Sequence, residues 1–146
     1  MSDDALAITN LLYRYAECMD LGDFAGAAEL FAHAEVTLAG GATVRGADAM
    51  RGVWESYTKR HADGTPMTKH VVTNPIVEFS ADRLRATARS YCTVLQATAV
   101  VPLQVIAAGR YHDSFENAKG VWRFATRDYS LFDLKGDLRD HLNILA

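Results

Sequence analysis

Apolar positions recur at helical spacing over the first part of the chain and at every second residue over the rest, so the pattern changes once, near Met67. Ile8, Leu11, Leu12, Tyr15 and Met19 fall on one helical stripe, with Ser2, Asp3 and Asp4 suited to the start and Gly22 to the stop. Asp23 is placed to cap a second, short helix whose Phe24, Ala27, Leu30 and Phe31 face inward. Val36–Leu38, Gly40-Gly41 and Thr43-Val44 read as a small hairpin with a glycine turn. A third helix is predicted after Gly46, with Met50, Val53, Trp54 and Tyr57 on its apolar side. Gly64 and Pro66 make His61–Thr68 a loop.

Beyond Met67, four segments alternate as strands do: His70–Phe79, Leu84–Thr98, Leu103–Glu116 and Val121–Phe132. Short turns separate them, so neighbours should pair antiparallel. Two of the segments exceed a dozen residues, a length at which a curved sheet needs bulges, and Pro75 fits an edge or a bulge. Helices followed by a meander predict an α+β fold with the helices on one face of the sheet. Leu138, Leu142 and Leu145 then suggest a last helical turn packing on the body or on a neighbouring subunit.

With 146 residues the chain is expected to form a single domain over 1–146. A net charge of −3, without clustered Lys or Arg, speaks against a nucleic-acid surface. No apolar run approaches a membrane span, and the acidic N-terminus is unlike a secretory signal, so a cytoplasmic protein is expected. Two cysteines, Cys18 and Cys92, are read as free buried thiols. Neither histidines nor cysteines have metal-ligand spacing, so no metal and no cofactor are expected.

The run Ile8–Phe31, RGADAM at Arg45–Met50, TKHVVTN at Thr68–Asn74 and GRYHDSF…GVWRF at Gly109–Phe124 together resemble the SnoaL-like branch of the NTF2-like superfamily. The resemblance covers nearly the whole chain in the same order of elements. It implies a cone-shaped barrel in which a curved antiparallel sheet wraps the N-terminal helices and encloses a pocket. Relatives of this kind include scytalone dehydratase, hexachlorocyclohexane dehydrochlorinase, polyketide cyclases and steroid isomerases. A fold so widely shared narrows function poorly, and the site must be argued from residues.

The dehydratase and dehydrochlorinase members use an Asp near the end of the first helix and a His at the start of a later strand; Asp20 and His70 match these positions. An imidazole titrates near neutrality and can move a proton, while a carboxylate on its far nitrogen fixes the tautomer and stabilises the imidazolium. The plainer alternative makes Asp20 a helix-end residue in a solvated turn and His70 a sheet histidine. Tyr15 either donates to a developing oxyanion or is core with its hydroxyl at the rim. Asn74, expected on the strand face of His70, either orients substrate or serves a bulge beside Pro75. Tyr111 and Asp113 share the apolar face of their strand with Phe115, whereas His112 falls on the other; Asp113 would partner an Arg or Tyr. Trp54 is core or an aromatic wall. His141, in a Gly-Asp…His-Leu run, is read as local capping.

Two functions remain open at this point. One is a cofactor-independent lyase or isomerase acting on a small, mostly apolar cyclic substrate, with His70 as base and Asp20 as its partner. The other is a non-catalytic module that binds a hydrophobic molecule or a protein. The absence of a pocket cation in this reading favours the second. Tyr91 and Leu95, on the side of the sheet away from the helices, further suggest a homodimer, with a trimer as runner-up.

Overall fold

The computed structural model describes residues 3–143. Helix α1 (Asp3–Asp20) carries the expected stripe inward, and Ile8, Leu12, Tyr15 and Met19 are buried. α2 (Phe24–Glu29) is capped by Asp23, whose carboxylate accepts from the amide of Gly26 at 2.8 Å. α3 (Ala47–Tyr57) begins after Gly46 and buries Met50 and Trp54.

The strands are β1 (Glu35–Thr37), β2 (Thr43–Arg45), β3 (Thr68–Phe79), β4 (Arg85–Gln96), β5 (Gln104–Ala118), β6 (Val121–Asp128) and β7 (Leu134–Lys135). They form one sheet in the order β2-β1-β6-β5-β4-β3, with β7 added against β5. β3 to β6 are the antiparallel meander that the alternation predicts. One pairing differs: β1 lies parallel to β6, joining the early hairpin to the last long strand. The predicted fourth strand ends at Asp128 rather than Phe132; the Tyr129 amide adds one more bond to the Thr37 carbonyl, at 2.8 Å, and a turn follows at Ser130-Leu131. The helices cover one face, with α1 packed on β3 and β6.

Three irregularities interrupt the ladders, between Thr73 and Ile76, between Val94 and Leu95, and between Ser114 and Phe115. Each changes which residues of its strand point at the helices, since one extra residue reverses the alternation. A close approach also fixes Gly109 on β5. A Cβ there would collide with the Cα of Phe132 and the carbonyl of Leu131, so the chain after β6 can lie against the sheet only over a glycine. Phe132 thereby reaches the ring of Tyr111, 5.3 Å between centroids. Leu138 is buried in the predicted C-terminal turn; Leu145, the last residue of that pattern, lies outside the described residues.

Candidate active site

α1 stops because Gly22 takes a φ of 75°, open to glycine at no steric cost. The Gly22 amide returns to Met19 O and that of Asp23 to Cys18 O, satisfying the last carbonyls of the helix. This leaves Asp20 in the final turn, where the helix dipole disfavours a negative charge. Three donors compensate. The Asp20 carboxylate accepts from the His70 amide at 2.8 Å, from the Thr68 hydroxyl at 2.8 Å and from His70 Nδ1 at 2.6 Å. Burial pushes its carboxyl up, but the His70 ring and amide and the Thr68 hydroxyl outweigh this and hold it below its ordinary value. Because the carboxylate accepts only, Nδ1 carries the hydrogen and Nε2 is left with the lone pair. The His70 side chain is 7% exposed and that of Asp20 13%.

Aromatic rings surround the dyad. Tyr15 is buried with its ring centroid 6.2 Å from that of His70, and it also meets Trp54 at 5.9 Å, Tyr111 at 6.0 Å and Tyr129 at 6.3 Å. Burial pushes the phenols of Tyr15, Tyr111 and Tyr129 above their ordinary range, so they stay protonated and able to donate. Behind them Asp113 is fully buried in a bidentate pair with Arg127, Oδ1 to Nε 2.7 Å and Oδ2 to Nη2 3.0 Å. Burial pushes the Asp113 carboxyl up against the pull of the guanidinium, and the carboxylate holds the Arg127 proton more tightly than usual. The Arg127 Cζ lies 3.8 Å from the ring centroid of Tyr111 and 4.4 Å from that of Tyr15. Its Nη1 and the Tyr129 hydroxyl are buried without a partner among the described residues.

The structure therefore brings together Asp20, His70, Tyr15, Trp54, Tyr111 and Asp113. It does not bring Asn74. That residue is the left-handed position of the β3 bulge, with φ 43°, and it is exposed on the outer face of the sheet beside Arg110 and His112. The bulge breaks the alternation that put Asn74 in line with His70. His112 is exposed while Tyr111 and Phe115 are buried, as their alternation predicts. Arg127 is the residue the alternation hides, a buried guanidinium behind Tyr15 and Tyr111. Ala125 is the extra residue opposite Ser114 and Phe115, so Trp122 and Phe124 point inward and, one step out of phase, so do Arg127 and Tyr129. The signal was present as an aromatic, Tyr129, out of register with Trp122 and Phe124.

His141 is not an outlying cap. Its ring stands edge-to-face against His70, 6.4 Å between centroids, and its Nδ1 is buried without a partner among the described residues. Cys18 and Cys92 are free, and burial pushes both thiols up, as for inert rather than nucleophilic cysteines. Among the described residues no three His, Cys, Asp or Glu side chains are arranged to hold a metal ion. No helix among them is long and apolar enough to cross a membrane.

The family model of the SnoaL-like domain matches residues 1–128. The chain belongs to the SnoaL-like family. Among solved structures, this SnoaL-like chain is similar to an NTF2-like protein with a cystatin-like fold from Novosphingobium aromaticivorans, at 21% identity over 90% of this chain and 83% of that one, with a TM-score of 0.74. It is also similar to a candidate scytalone dehydratase from the same organism, at 26% identity, 88% and 86% coverage and a TM-score of 0.67. LinA matches at 25% identity over 88% of both chains, with a TM-score of 0.66. No curated protein matches the sequence.

The SnoaL-like site also makes the fold sensitive to acid. Burial, and then the neighbouring His70, lower the His141 pKa to about 4, with Asp20 pulling the other way and His61 adding to the lowering. The folded chain thus keeps His141 neutral, whereas the unfolded chain protonates it below about pH 6.5. Its contribution to stability is complete above that pH and is lost as pH falls toward 4. Urea unfolding at pH 7, 6, 5 and 4.5 is expected to show a decline that His141→Gln removes in part. Parallel curves for the two proteins would contradict it.

Proposed function

We propose that this SnoaL-like chain is an acid–base lyase or isomerase acting on a small, mostly apolar cyclic substrate. The observation that carries this reading is the 2.6 Å contact between His70 Nδ1 and Asp20, which leaves Nε2 as a base oriented by a carboxylate. In this reading Nε2 takes a proton from carbon. The C–H electron pair moves toward an adjacent carbonyl, and Asp20 stabilises the resulting imidazolium. The proton then returns either to a leaving group, giving elimination, or to another carbon, giving isomerisation. The Tyr15 phenol and the Arg127 guanidinium are the groups that oppose negative charge growing on the substrate oxygen. The similarity to a candidate scytalone dehydratase supports the same class of chemistry.

The test is exchange of the α-protons of 1-tetralone with deuterated water, followed by proton NMR. The wild-type chain is expected to accelerate it and His70→Ala to return it to the buffer rate. One observation favours the second reading, a binding module. Two clefts, of ≈ 560 and ≈ 190 Å³, open on the outer face of the sheet, and the residues lining them include neither Asp20 nor His70. Binding of 1-tetralone without exchange would select that reading.

The outer face also exposes Val71, Ile76, Tyr91 and Val105, with Tyr91 56% accessible. Arg89 and Thr93 lie among them, a mixture suited to a contact between two copies. Sedimentation equilibrium at micromolar concentration is expected to give a dimer that Tyr91→Glu dissociates. A wild-type chain that sediments as a monomer would refute this arrangement.

A further inference from the structure

The segment after β7 is tied down from three directions. From the end of α3, Thr58 bridges Leu142 and Ser56 O accepts from Asn143 Nδ2 at 3.0 Å. From the loop before β3, the Lys59 amide donates to His141 O at 2.8 Å, Lys59 Nζ to Arg139 O at 2.6 Å, and His61 Nε2 meets Asp140 O at 3.0 Å. From the end of β4, Gln96 Nε2 donates to Asp140 O at 3.1 Å and the Thr98 hydroxyl to the Asp140 carboxylate at 2.6 Å. These bonds hold the backbone on both sides of His141, yet none of them satisfies its ring. The ring is delivered against His70 with Nδ1 buried and without a partner among the described residues. A buried polar atom left unbonded costs stability, and a fold that keeps one calls for an explanation outside its own packing.

We infer that His141 is a substrate-binding residue of this site, a neutral imidazole that hydrogen-bonds an oxygen of the substrate held beside His70 Nε2. The inference deepens the proposed function and rests on it. A neutral imidazole offers one donor and one acceptor, so it can serve a hydroxyl or a carbonyl, and it gains nothing from a hydrocarbon. Neutrality also suits its neighbour. While His70 carries a proton, a second cation at this distance would oppose it, and burial, His70 and His61 keep His141 uncharged against the opposing pull of the Asp20 carboxylate. The ligand class that follows is an oxygenated ring, a cyclic ketone or its alcohol, in preference to a bare or halogenated one.

The test uses three probes of one shape: 1-tetralone, 1-tetralol and tetralin. On protein labelled with ¹⁵N in histidine, the ketone and the alcohol are expected to shift the His141 ring nitrogens, and tetralin is not. His141→Phe should weaken binding of the two oxygenated probes about tenfold and leave tetralin within about twofold, the size of one lost hydrogen bond. His141→Gln, which keeps a donor and an acceptor, should recover most of the loss and guards against a merely misfolded Phe variant. Equal shifts with tetralin, equal weakening of all three probes, or no His141 shift with any of them would overturn the inference. Failure of the acid–base reading is separate: it shows as absent deuterium exchange while the His141 shifts persist.

Discussion

Asp20→Asn is expected to slow 1-tetralone exchange by about 10²–10⁴-fold while the chain stays folded. Asparagine can still accept from the His70 amide through its one carbonyl oxygen, which puts its NH₂ in the place of the oxygen that Thr68 and the His70 ring share. Its NH₂, however, then faces His70 Nδ1 and donates to it. That reverses the tautomer: Nε2 carries the hydrogen and the base is lost. The stability cost at neutral pH should be small, because the substitution also removes a negative charge from the C-terminal end of α1. In acid the two proteins should converge. The wild-type carboxyl is held below its ordinary value, so its stabilising contribution is present above about pH 4 and is lost as pH falls through the lower folded value. Deuterium exchange and circular dichroism check the two halves together. A rate within about threefold of wild type would remove Asp20 from the chemistry.

The second large effect concerns Arg127 and Asp113. Either Arg127→Met or Asp113→Leu alone leaves one charge fully buried without its partner, and a loss of about 3–5 kcal/mol is expected. The double variant should recover most of that loss, since two well-packed apolar side chains often match or exceed a buried ion pair. Recovery should be favoured here because the wild-type pair is itself incomplete, with Nη1 lacking a partner among the described residues. Urea unfolding of the four proteins gives the coupling directly. If Arg127 also opposes charge on the substrate, the refolded double variant will remain slow in exchange. A double variant as unstable as the singles would mean that the site cannot close over apolar side chains.

The positions that sequence reasoning placed well, and those it did not, divide along the bulges. Where alternation runs unbroken, as from Gly109 to Phe115, the inward Tyr111 and Asp113 and the outward His112 are legible from period alone. The stripe of α1 is legible for the same reason, and with it the place of Asp20. Asn74 and Arg127 are not, because each follows or occupies an extra residue that reverses the faces of its strand. Pro75 announced one bulge without stating which residue would take the left-handed position. Nothing but the phase of Tyr129 announced the other. His141 escaped for a different reason. Its place depends on partners at Lys59, Gln96 and Thr98, far off in sequence, and no local period records such ties.

The parallel pairing of β1 with β6 bears on the order in which the molecule assembles. It sets Glu35 opposite Thr126, residues 91 apart in sequence (126 − 35), whereas the meander and the helix pair each join near neighbours. Closing so long a loop is entropically dear and is repaid only once both of its ends are organised. The three-residue seam is short, so it cannot nucleate the fold by itself. On loop-closure grounds it is expected to close over halves already formed. A nascent chain held short of β6 would have both members of the Asp20–His70 pair in hand while its first helices still lacked the strand that completes the sheet around them.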